Sequence, residues 1–159
     1  MASEHIYKQF DSDLEAIRAK VLEMGTLVEE QTANAVQSLL NTDIKLAEAV
    51  MKRDAQINDL EVVIDEETSL LIAKRSPAAG DLRNIMMMLK IITDLERMGD
   101  EAAKIARSTT RIFEDNRMSK PRFTEIKGMA KAVQGMIKTA LNSFARLDLS
   151  DTIDILEKD

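Results

Sequence analysis

FDSDLEAIRAKVLEMGTLVEEQTANAVQSL, residues 10–39, decides the fold. Its apolar positions Phe10, Leu14, Ile17, Val21, Met24, Val28, Ala35 and Leu39 recur at three-and-four spacing. That period belongs to one long amphipathic helix, and the turn-forming Asn41-Thr42-Asp43 should end it. Working outward, Val50, Ile57, Leu60, Ile64 and Leu71 continue the period in a second helix that stops before Ser76-Pro77. Ser76 reads as a cap and Pro77 as a first-turn residue of a third helix running to about Phe113. Lys120-Pro121 opens a fourth, with the stripe Phe123, Ile126, Ala130, Val133, Ile137, Ala140, Phe144 and Leu147, and a fifth is expected after Ser150. Short connections make neighbouring helices antiparallel. The expectation is therefore an all-α chain: a long antiparallel three-helix bundle over residues 1–118, followed over 119–159 by the first one or two helices of a second, incomplete bundle.

Composition narrows the function. Aromatic residues make up 3% of the 159, with 2 Pro and 5 Gly, so the apolar stock is helix-former chemistry. The net charge is −6 and cations alternate with acids, which argues against nucleic acid as a partner. The absence of cysteine excludes disulfides and thiolate metal sites and suits a reducing compartment. The longest apolar run, Ile85 to Leu89, is far short of the roughly 18 residues of a membrane span. The first residues also lack the pattern of a signal peptide. A cytoplasmic protein, at most peripheral to a membrane, is expected.

Sliding the chain against itself by 105 positions aligns Met24, Ala35, Ser38, Asp43 and Asp54 with Met129, Ala140, Ser143, Asp148 and Asp159. Val28 then meets Val133, and Leu39 meets Phe144. An internal repeat is the natural reading. It leaves the fourth helix with an apolar face lacking two of its partners. Self-association, as a homodimer or higher oligomer, follows as an expectation.

Two acidic pairs stand on the edges of core stripes. At roughly 100° per residue, Glu96 shares the apolar arc of the third helix with Ile85, Leu89, Ile92 and Ala103, and Asp100 lies about 40° to its side. Lys90, Asp94, Arg97 and Glu101 form the solvated wall. On the second helix Glu61 points the same way, with Asp54 and Asp65 on the border, so Glu61-Val-Val-Ile-Asp65 repeats the E-x-x-x-D spacing of Glu96-Arg-Met-Gly-Asp100. Crowded carboxylates need arginine partners, protons or a metal. Hard cations prefer all-oxygen ligands, and facing helices with such spacing hold bridged iron or manganese. The sole histidine, His5, rules out the E-x-x-H element of oxidase-type di-iron sites. Surface salt bridging to neighbouring turns stands as the alternative.

These residues carry a family resemblance. The Met24-Gly-Thr-Leu-Val segment, Ile57-Asn-Asp-Leu-Glu-Val-Val-Ile-Asp65, Arg75-Ser-Pro-Ala-Ala-Gly-Asp-Leu-Arg83 and Asp94-Leu-Glu-Arg-Met-Gly-Asp100 together resemble the PhoU family of phosphate-transport regulators, whose fold is two three-helix bundles in tandem. The resemblance implies metal binding, by iron, zinc or another divalent ion, on acidic motifs of this kind. It carries over Glu96 and Asp100 directly, with Asp94, Glu61, Asp65 and Asn58 as further ligand candidates. It also implies contacts with a phosphate transporter's ATPase subunit and a phosphate sensor histidine kinase, which keep the phosphate-starvation response off. The second-bundle E-x-x-x-D copy falls beyond the last residue, which puts in doubt any function that needs both bundles.

Lys104, Arg107 and Arg111 form a basic stripe late in the third helix. It either complements the helix C-terminus or meets an acidic partner or phosphate. Arg83, Arg97, Lys104 and Arg107 are the expected partner-contacting cations. Met86-Met87-Met88 reads as core filler or as an adaptable docking surface. No P-loop or nucleophile-base pair is present. A non-enzymatic signalling adaptor is the leading function, with a carboxylate-bridged metal enzyme and a metal-free helical interaction module as alternatives.

Overall fold

The computed structural model describes the backbone of residues 2–114 and 124–147, and every element in it is helical. The helices are α1 (Ala2–Asn41), α2 (Ile44–Arg75), α3 (Ala79–Glu114) and α4 (Thr124–Arg146). The expected domain boundary at 118/119, the start of the fourth helix at Pro121 and Phe123, and the fifth helix after Ser150 lie outside the described residues.

The first turn falls where expected. Thr42 takes a left-handed φ of 58°, Asp43 is extended, and its carboxylate accepts from the Leu46 N–H at 3.0 Å. That bond satisfies one of the orphan donors at the start of α2. The second turn corrects the sequence expectation. Ser76 does not open α3; it closes α2, with φ 46° and ψ 63°, and donates its N–H to the Ile72 carbonyl at 3.1 Å. A left-handed residue just past a helix is normally glycine. Here Pro77, which disfavours a helical residue before it, forces the exit at serine. α3 then starts at Ala79, where the Leu82 N–H reaches the Ala78 carbonyl.

α1, α2 and α3 pack pairwise on one another. Arg75 meets Asp13 and Arg53 meets Glu30, so α1 and α2 are antiparallel. The core is one column: the expected stripe residues Phe10, Ile17, Val21, Met24 and Val28 of α1, Ile57, Ile64 and Leu71 of α2, and Ile85, Met88 and Ile92 of α3, joined by Leu95, which the stripe did not include. Each such side chain, fully buried, contributes roughly 1.5–3 kcal/mol. Toward the α1–α2 turn the column narrows to Ala35, Ala47, Val50, Ala102 and Ala106, and small side chains draw the helices together there.

Among the described residues α4 packs on α1 alone. Gly25 sits so close to Leu141 that a methyl group in place of its hydrogen would clash with the leucine tip. Arg18 donates to the Phe144 and Ala145 carbonyls at 2.9 and 2.7 Å, and its guanidinium lies 5.6 Å from the Phe144 ring centroid. Residues 18 and 25 thus meet 144 and 141, and the two helices run antiparallel. A cation on the open carbonyls of a helix C-terminus is favourable twice over, by hydrogen bonding and by the helix dipole. The repeat expected between α1 and α4 has unequal halves in burial: Met24 is fully buried, whereas its counterpart Met129 is 68% exposed, with Ile126 and Val133 open beside it.

This geometry predicts that Arg18→Ala combined with Gly25→Leu releases α4. Amide hydrogen exchange over 124–146 is expected to quicken at least about tenfold, with α1–α3 protection retained. Unchanged protection in α4 would show that the clamp does not hold it.

A candidate acidic seam between α2 and α3

The seam follows from two facts of packing. Gly99 presents no side chain to α2; a Cβ there would lie 3.0 Å from Ile57 Cδ1 and 3.6 Å from Asp54 Oδ1. The backbones therefore approach closely at this level, and the acids flanking the contact, Asp54 and Glu61 on α2 and Glu96 and Asp100 on α3, are brought within electrostatic reach. All four are half-buried.

Burial raises the Glu96 carboxyl above its ordinary range, and the negative charges of Asp100, Glu61 and Asp54 raise it further, against a small opposing pull from Arg97. Asp54 is raised by burial and then by Asp100, opposed by a hydrogen bond from Gln31 and by the charge of Arg107. Both shifts have the sign expected of like charges sharing a partly desolvated line. Among the described residues, no Lys or Arg forms an ion pair with Glu61, Asp65, Glu96 or Asp100.

Beneath the seam lies Gln31 of α1, fully buried. Its Nε2 donates to Asp54 Oδ1 at 2.9 Å and to the Gly99 carbonyl at 3.3 Å, so one side chain ties together all three helices at the level of the acids. Its Oε1 has no partner.

The structure sorts the sequence candidates. Glu61, Glu96 and Asp100 are on the seam. Asp65 and Asn58 lie on exposed positions of α2, one turn either side of Glu61. Asp94 does not join them: it is exposed on the solvated wall of α3, 3.7 Å from Arg97. Together with Arg97, Met98, Glu101, Val133 and Ile137 it lines a separate groove of about 1010 Å³ between α3 and α4. Arg83 is exposed near the start of α3. Lys104 is exposed and pairs with Glu101 at 2.8 Å. The basic stripe does not sit at the helix end, because α3 continues to Glu114 and only Arg111 falls in its last turn. Arg107 and Lys104 instead bound the seam, their charges acting on Asp54 and Asp100.

Gln31 and Gly99 are parts of the site that sequence reasoning does not reach, whereas Asp54, expected on the border of the Glu61 stripe, stands on the seam. A glutamine interrupting the apolar stripe of α1 between Val28 and Ala35 was the signal available for the first. Of the methionine run, Met88 is buried in the core as filler, whereas Met86 and Met87 are exposed.

Chemically the seam is an all-oxygen acceptor surface, suited to a hard cation or to N–H donors. Among the described residues no group of three or more His, Asp or Glu side chains is arranged to enclose a metal ion. The donors fit such an ion in kind; the cage is not pre-formed.

Comparison with known proteins decides the family. The PhoU domain pattern matches residues 21–109, more than half of the chain. The chain belongs to the PhoU family. It is 41% identical over 158 residues to a phosphate-specific transport system accessory protein PhoU homolog of Pseudomonas aeruginosa, covering 99% of this chain and 64% of that protein. A Burkholderia PhoU homolog is 42% identical, with 100% of this chain and 68% of the relative covered. The chain therefore spans about two thirds of the length of these relatives. The crystal structure of PhoU from Pseudomonas aeruginosa superposes with a TM-score of 0.87 at 41% identity, over 91% of this chain and 69% of that one. The phosphate transport system regulatory protein PhoU from Streptococcus pneumoniae gives 0.83 at 29% identity, over 94% and 69%. The all-helical bundle expected from periodicity is thus the fold of this PhoU family member. No helix among the described residues is long and apolar enough to cross a membrane.

Proposed function

We propose that this PhoU-family chain is a non-enzymatic cytoplasmic regulator of inorganic phosphate uptake that holds the phosphate-starvation response off. It would do so through contacts with a phosphate transporter ATPase subunit and a sensor histidine kinase, working as a dimer or higher oligomer. The observation that carries this reading is the match along almost the whole chain to accessory proteins of phosphate-specific transport. The α2–α3 seam is the surface through which it acts. An iron, zinc or other divalent ion placed there would be held by Glu61, Glu96 and Asp100, with Asp65 one turn from Glu61 on α2. Such an ion supplies charge neutralisation and fixes the spacing of the two helices. The absence of a ready three-acid cage favours a second reading, a metal-free interaction module whose carboxylates meet a protein directly.

The test is a starvation-response reporter in cells lacking their own family member. Under plentiful phosphate the whole protein carrying this chain is expected to lower reporter output at least about tenfold. The Glu96→Ala/Asp100→Ala form should lose most of that repression. Full repression by the double variant would remove the seam from the function.

A further inference from the structure

From the composition of the α2–α3 face we infer that it docks a cationic, amphipathic helix of a partner protein; this names the partner chemistry of the seam and rests on the reading just given. Antiparallel packing sets the level of each residue. Asp54 stands near Asp100, Ile57 near Gly99 and Glu61 near Glu96, so continuing toward the α2–α3 turn places Ile72 level with Met86. The face consequently has two halves. One carries the half-buried Glu61, Glu96 and Asp100 and the exposed Asp65, without ion-pair partners among the described residues. The other carries the exposed Leu82 and Met86, flanked by the half-buried Ile72 and Leu89.

A bare metal ion would satisfy the first half and leave the second in water. An anionic partner would be repelled by the first. A helix with Lys or Arg over one half and Leu, Ile or Phe over the other satisfies both, and a thioether side chain adapts to the apolar anchors it receives. From Leu82 to Asp100 the face is about 27 Å long, which is the length of an 18-residue helix. Lys104 and Arg107 mark its end, so the partner's cations lie over Glu61, Asp65 and Glu96 and not beyond Asp100.

The test is direct binding by the full chain. A fluorescently labelled 18-residue helical peptide, lysine-rich in one half and leucine-rich in the other, is followed by anisotropy at low and high salt. Saturable binding is expected, weakened at least about tenfold by Leu82→Glu/Met86→Glu and to a similar extent by Glu61→Gln/Glu96→Gln. A peptide with glutamate in place of lysine should not bind. Binding that the Leu82/Met86 variant leaves untouched would reduce the effect to diffuse electrostatics and overturn the inference, as would absence of saturable binding. Calorimetric titration of the same variants with Mn²⁺ alone separates the two readings, because Leu82 and Met86 supply no ligand: loss of peptide with retained metal binding supports docking independently of the metal.

Discussion

Ile57→Ala is expected to destabilise the protein by about 3 kcal/mol, and Gly99→Val by about 2 kcal/mol, yet the double variant should lose at least about 1 kcal/mol less than the sum. Ile57 is fully buried and lies 3.0 Å from where a Cβ on Gly99 would stand. Removing the isoleucine leaves a cavity between α2 and α3. Adding a branched side chain at 99 forces the same two helices apart. The two changes act on one gap, so a valine entering the space vacated by Ile57 restores part of the contact. At roughly 2–4 °C per kcal/mol for a chain of this size, Ile57→Ala alone should lower the unfolding midpoint by about 6–12 °C. Urea unfolding of the four proteins measures the coupling. Strict additivity would mean that this close approach does not set the spacing of the seam.

The second large effect has the opposite sign. Glu96→Gln/Asp100→Asn is expected to raise stability at neutral pH by about 1 kcal/mol while abolishing repression in the reporter assay, since sites kept for function are often strained. Glu96 and Asp54 both hold their protons more tightly in the fold than an ordinary carboxyl does, through burial and through each other's neighbours. A folded pKa raised above the unfolded one penalises folding in full at pH values above the folded pKa. That penalty fades as pH falls through the folded value toward the unfolded one. The variant's advantage over the wild type should therefore be largest near neutral pH and shrink as pH falls toward the ordinary carboxylate range. An advantage that grew on acidification would assign the wrong sign to the seam.

Much of this was legible in the sequence, and the reason differs from element to element. The long helices follow from a three-and-four stripe uninterrupted by proline, and every stripe residue named between Phe10 and Val28 is buried or half-buried as that period requires. The E-x-x-x-D pairs were placed on facing helices because both sit at the edge of their own stripe. Asp94 was carried into the ligand set by the resemblance, although its angular position already put it on the opposite wall, where the structure leaves it. A serine before a proline suits either end of a helix, and the left-handed conformation that puts Ser76 at the end of α2 is a property of the backbone. The roles of Gln31, Gly99 and Arg18 could not be read from any one helix. Gln31 ties α1 to α2 and α3, Gly99 sets the α2–α3 spacing, and Arg18 clamps α4 on α1, so each acts through a neighbour that a periodicity argument does not see.

The most direct measurement is a carboxyl-carbon NMR titration of Asp and Glu side chains in the wild type and in Asp100→Asn. Glu96 should titrate above its ordinary 4.5 and Asp54 above its ordinary 3.8, and both should move down when the Asp100 charge is removed. Values at or below the ordinary ones, or values indifferent to Asp100, would contradict the crowding of acids across α2 and α3 on which the functional reading stands.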